Sequence, residues 1–138
     1  MRIRVLALCA VLASLLPAKG ASAQALPKGA TGVPVQGDSG ISASWALLND
    51  SAFSVARDYA EPGATRRMHK HPEFVFHVFI LLSGTLRLTV EGEEPREVHA
   101  GEVLRIKAGA NHGFTNVGAV VATIVEVFGK PQSRERQP

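Results

Sequence analysis

The sequence has a single cysteine, Cys9, and no apolar run long enough to cross a bilayer. A spanning helix needs about twenty consecutive apolar residues, whereas the run from Val5 to Leu16 has twelve. That run follows the short basic start Met1-Arg2-Ile3-Arg4, is broken by Pro17 and Gly20, and leads to the small-x-small pattern Ala21-Ser22-Ala23. Together these features predict a secretory signal peptide over residues 1–23, cleaved after Ala23, and a secreted or periplasmic mature chain without a membrane segment. Cys9 lies inside the apolar run rather than at its end, where a lipoprotein cysteine would sit. It leaves with the leader, which excludes disulfides and thiol chemistry from the mature chain.

Excess charge is missing as well. Of the 15 basic residues, Arg2, Arg4 and Lys19 belong to the leader, which leaves 12 basic against 12 acidic residues. A balanced domain offers no electrostatic case for nucleic acid or an anionic membrane surface. No stretch reads as a long amphipathic helix, and no spacing of Ser, His and Asp suggests a hydrolytic triad. An enzyme built on this chain would therefore rely on a metal ion.

What is present is a succession of short β-rich runs in one domain's length of chain. Residues 24–40 are rich in Gly, Pro, Ala and Ser and read as an extended lead-in, and residues 130–138 as a polar tail. Between them, residues 41–129 hold runs at 41–48, 53–60, 74–82, 85–90, 102–106 and 119–128. Turn residues separate these at Asn49-Asp50, Glu61-Pro62-Gly63, Ser83-Gly84, Glu91-Gly92-Glu93 and Ala108-Gly109-Ala110-Asn111. In Leu86-Arg87-Leu88-Thr89-Val90 apolar and polar residues alternate, the mark of a strand with one wet face. Val75 to Leu82 is apolar on both faces apart from His77, as in a wall covered on its outside too, for instance by a second subunit. The fold expected is all-β, a sandwich or barrel.

All five histidines fall between positions 69 and 112. His69 and His71 are two apart, so an extended segment projects both from one face. His77 stands alone in a greasy strand, where an unpartnered polar group costs about 1–3 kcal/mol. A shared metal would supply the partner, and so would a backbone carbonyl. His112 opens another strand, and His99, in the turn Val98-His99-Ala100-Gly101, reads as a solvated surface residue.

The spacing runs Gly63-x5-His69-x-His71-x5-His77-x6-Gly84 and then Gly101-x5-Lys107-x-Gly109-x2-His112-x3-Asn116. It resembles the two motifs of the cupin superfamily, G-x5-H-x-H-x3,4-E-x6-G and G-x5-P-x-G-x2-H-x3-N. The resemblance implies a single cupin jelly-roll β-barrel, with His69, His71 and His112 as ligands of one divalent metal ion (Fe, Mn, Ni, Cu or Zn). Gly63, Gly84, Gly101 and Gly109 would be turn positions with positive φ. His77 stands where the family has a glutamate, one residue late, and is taken as the fourth ligand. Glu73 is the rival, its alternative being a solvated loop carboxylate beside Pro72. Lys107 replaces the usual proline. By resemblance, the function expected is that of a metal-dependent, dioxygenase-like oxidoreductase acting on a small organic molecule. The alternative is a non-catalytic small-molecule or metal-binding domain. A homodimer is expected, since small jelly rolls often pair to cover their sheet edges.

Overall fold

The computed structural model describes residues 32–132. The leader, the first part of the lead-in and residues 133–138 of the tail lie outside them. Among the described residues there is no helix. Nine antiparallel strands form two curled sheets around one core: β1 (Val33–Pro34), β2 (Ser39–Asn49), β3 (Phe53–His69), β4 (Phe76–Ser83), β5 (Thr85–Val90), β6 (Arg96–His99), β7 (Val103–Ile106), β8 (His112–Asn116) and β9 (Ala122–Gly129). This is the all-β jelly roll expected from the sequence.

β3 belongs to both sheets. Its first half, Phe53 to Ala60, pairs residue for residue with β9, while its last part pairs with β8, where His69 faces His112. The bend between them falls at Glu61-Pro62-Gly63. Pro62 has no N–H to give a ladder, and Gly63 has φ 78°. The sequence reading placed a chain break here, but the strand continues through it. One sheet thus runs β2-β3-β9-β4-β7 and the other β6-β5-β8-β3. The short strands β1 and β6 were not anticipated, whereas β8 begins at His112 as expected. β1 falls within the expected lead-in and pairs with Ala43 and Ser42 of β2.

Alternation decides which residues enter the core. In β5, Leu86, Leu88 and Val90 are buried while Arg87 is exposed. Phe79, Leu81, Ile41, Ile124 and Leu86 are fully enclosed between the sheets. β4 sends His77, Phe79 and Leu81 inward, and its outward side continues apolar. On that outer face Leu82 is 55% exposed and Val103 of β7, opposite Ile80, is 62% exposed.

The motif glycines behave as the spacing implied: Gly63, Gly84, Gly101 and Gly109 all have φ between 70° and 94°. At Gly84 a Cβ would also lie 2.8 Å from the Cβ of Ala122, so this turn needs glycine twice over. Asn116 closes the end of the second motif. Its amide donates to the carbonyls of Ala60 (2.9 Å) and Val120 (2.8 Å), and its oxygen accepts from Gly118 N–H (3.0 Å).

Candidate metal centre

Strand ends and one loop bring four imidazoles to one end of the barrel. His69 closes β3 and His112 opens β8, directly across the ladder. His71 lies in the loop between β3 and β4, which is tied down by Val75 N–H donating to the Gly129 carbonyl at 2.8 Å. His77 points inward from β4. Ring centroids lie 4.5 Å apart for His69–His112, 4.9 Å for His69–His71, 4.9 Å for His77–His112 and 5.8 Å for His71–His77.

The backbone fixes two of these rings. The Nδ1 of His69 lies 2.9 Å from the Arg67 carbonyl, and that of His112 lies 3.0 Å from the Ala110 carbonyl. A carbonyl only accepts, so each Nδ1 carries the proton and each Nε2 presents a bare lone pair. The Nε2 atoms of His69, His71, His77 and His112 are all buried without a hydrogen-bond partner. Two enclosed lone pairs without a partner, beside the buried Nε2 of His71 and His77, would be costly unless something positive joined them.

Burial holds these imidazoles in the neutral form that ligates. It lowers His69, His71 and His77 to about 4, opposed at His69 by the bond to the Arg67 carbonyl and reinforced at His71 by His112 and His77. His112 is also lowered, chiefly by burial. The ligating atoms of His69, His71 and His112 lie within 4.8 Å of one another. So do those of a second trio, His77, His112 and Glu126. The donor set suits a borderline divalent ion, which prefers imidazole nitrogen.

Glu126 is the residue that sequence reasoning missed. It projects inward from β9, is 2% exposed, and places Oε2 2.6 Å from Nε2 of His77. Its carboxyl is pushed up to about 7 by burial, against the pull of His112 and Arg66. Glu73, the rival considered from sequence, is absent from the cluster. Its 59%-exposed carboxylate lies 3.9 Å from Nδ1 of His71, on the ring edge away from the unpartnered Nε2. His99 is exposed at the end of β6. Deeper in the barrel sits Asp58, wholly buried, with neither carboxylate oxygen hydrogen-bonded. Arg66 Nε stands 4.0 Å from it and binds Asp38 at 2.6 Å.

Phe74, Phe76 and the 107–110 turn close over His71, His77 and His112 and leave no room there for a water-sized molecule. Phe74 stacks on Phe128 at 4.8 Å, and Phe128 packs against both His71 and His77.

Three comparisons place this arrangement. Oxalate oxidase superimposes with a TM-score of 0.60 at 27% identity, over 66% of this chain and 51% of that one. A structure described as a predicted oxalate decarboxylase from Thermotoga maritima gives a TM-score of 0.60 at 24% identity, over 70% and 86% of the two chains. A mannose-1-phosphate guanylyltransferase of Sinorhizobium fredii is 31% identical over 81 residues, which is 59% of this chain but only 15% of that protein. Residues 59–128, half of the chain, match the Cupin_2 family, described as the cupin domain. With its jelly-roll barrel and both histidine motifs, the chain is a member of the cupin superfamily.

Proposed function

We propose that this chain is an exported metalloprotein whose His69, His71, His77 and His112 hold one divalent ion, and that it acts as a dioxygenase-like oxidoreductase on a small organic molecule. The observation that carries the reading is the cluster of four buried Nε2 atoms, two of them turned inward as bare lone pairs by Nδ1 bonds to backbone carbonyls. When bound, a redox-active ion supplies the electron-transfer and O2 chemistry that the side chains lack. The protein orients the imidazoles, keeps them neutral, and shields the centre behind Phe74, Phe76 and Phe128.

The cleft over the histidines is closed, with no space for a water-sized molecule between its walls. The likeness to oxalate oxidase points to a small organic acid as substrate, with Lys107 at the cleft's rim. The same tightness favours a second reading, a cupin that holds metal or a small ligand without turnover. Export rests on residues 1–23, and the apolar outer face around Leu82 and Val103 supports a homodimer.

The deciding experiment is elemental analysis of protein purified without a histidine tag, with and without His69→Ala and His71→Ala. About one metal per chain is expected in the parent and almost none in the double variant, and full metal content in the variant overturns the site. Oxygen uptake with oxalate and other short carboxylic acids then separates the readings. Uptake confined to a redox-active ion supports the enzyme, and absence of uptake with every ion supports the binding domain.

A further inference from the structure

We infer that Glu126 supplies the metal's carboxylate ligand, taking from β9 the part that the family's first motif assigns to the position now held by His77. The inference rests on the metal-site reading above. In the register of the sheet His77 faces Phe128 on β9, so Glu126 is its diagonal neighbour on the same inner face. Changing residue 77 from an acid to a histidine removes a negative charge from the site. An acid one strand over restores it without altering either sheet.

Three observations converge on Glu126. It sits in the buried column Ala122, Ile124, Glu126, Phe128, where every other member is apolar. An acid there needs a compensating partner, since a buried ionised carboxylate is strongly penalised. Its Oε2 lies 2.6 Å from Nε2 of His77, closer than two bare lone pairs would stay, so a proton or a metal ion belongs between them. Finally, a carboxylate oxygen of Glu126 lies within 4.8 Å of a ligating atom of both His77 and His112, and His112 belongs equally to the trio with His69 and His71. Glu126 therefore joins the imidazole cluster through two of its members.

Arg66, whose charge also pulls on Glu126, is already engaged by Asp38 at 2.6 Å. A carboxylate among the imidazoles also changes which ions fit. Four neutral nitrogens favour Cu, Ni or Zn, whereas an added oxygen anion extends the range toward Mn and Fe(II).

The test compares Glu126→Gln, Glu126→Asp and the parent by titrating metal-free protein with Co(II) and with Mn(II), reading affinity and the visible Co(II) spectrum. Glu126→Gln is expected to weaken binding by more than the roughly 10–100-fold loss typical of a residue that acts through a ligand. It should weaken Mn(II) more than Co(II) and alter the Co(II) bands, and Glu126→Asp should recover part of the affinity. Metal-free Glu126→Gln should also melt at a higher temperature than the metal-free parent, because a buried carboxylate without its cation has been removed. Unchanged Co(II) bands and affinity in Glu126→Gln overturn the inference while leaving the histidine site intact. Loss of the site itself shows separately, as unchanged metal content in His69→Ala/His71→Ala.

Discussion

His69 and His112 face each other across β3 and β8 with ring centroids 4.5 Å apart, and each bonds its Nδ1 to the carbonyl two residues before it, Arg67 and Ala110. Both rings are held by their own strands, in the tautomer that leaves Nε2 free. The site is consequently organised before any ion arrives.

That organisation sets how metal retention depends on pH. An unperturbed histidine protonates around pH 6.5, whereas burial lowers His69, His71 and His77 to about 4. Protons therefore begin to compete with the ion only as the pH falls toward 4. Dialysis at graded pH followed by elemental analysis should find the metal retained at pH 5.5 and released near pH 4. Release already complete at pH 6 would contradict this.

The metal-free protein should lose stability at both ends of the pH range. The histidines are depressed on folding, so between about 6.5 and 4 the unfolded chain binds more protons and stability falls as pH falls. Asp58 is raised from 3.8 to about 8, chiefly by burial and then by Glu126. For this acid the folded state binds more protons, and the stability it contributes at low pH is lost as pH rises from about 4 through about 8. Asp58→Asn should thus stabilise the protein at pH 8.5 by at least about 1 kcal/mol and have little effect at pH 4. Arg66 keeps its bond to Asp38 in this variant. Urea melts of metal-free protein at the two pH values test the difference.

Two motif residues should prove structural. Asn116→Ala deletes the three hydrogen bonds of a buried side chain, of which the one to the Ala60 carbonyl is wholly buried. A loss of about 1–3 kcal/mol is expected. Gly84→Ala combines φ 87° with a clash against Ala122 and should cost about 1–3 kcal/mol as well. Denaturant melts give both values, and metal stoichiometry in the folded fraction should remain at the parent level.

The outer face of β4 and β7 offers a test of assembly. Leu82→Asp with Val103→Lys places charge on two side chains that are 55% and 62% exposed in the single chain. Light scattering should show the parent as a dimer and the double variant as a monomer with its metal content unchanged. A variant that stays dimeric would place the interface elsewhere.

The barrel and three of the imidazoles were legible in the sequence because the two motifs fix glycines and histidines at set distances. Gly63, Gly84, Gly101 and Gly109 take the turns that spacing implied. Glu126 escaped notice because residues 119–128 read as one apolar run. Strand parity was the available signal: counted from Ala122, the acid falls in the same inward column as Ile124 and Phe128. β8 was legible only at its start, His112, because the short, polar His112-Gly113-Phe114-Thr115-Asn116 owes its strand state to pairing with β3 and β5 on either side. The bend of β3 was taken for a break because Pro and Gly serve both purposes, and only the flanking pairings distinguish them.

β3 draws its partners from the far end of the chain: Phe53 pairs with Gly129 and Ala60 with Ala122. Such contacts form only once nearly the whole domain is available, and topologies of this kind fold slowly. The imidazoles on β3, β4 and β8 meet Glu126 only after β9 has closed between β3 and β4. A partly synthesised chain has no assembled site, so ion capture cannot precede the closure of β9. Only ions met after that closure, and not those met by the growing chain, can occupy the assembled centre.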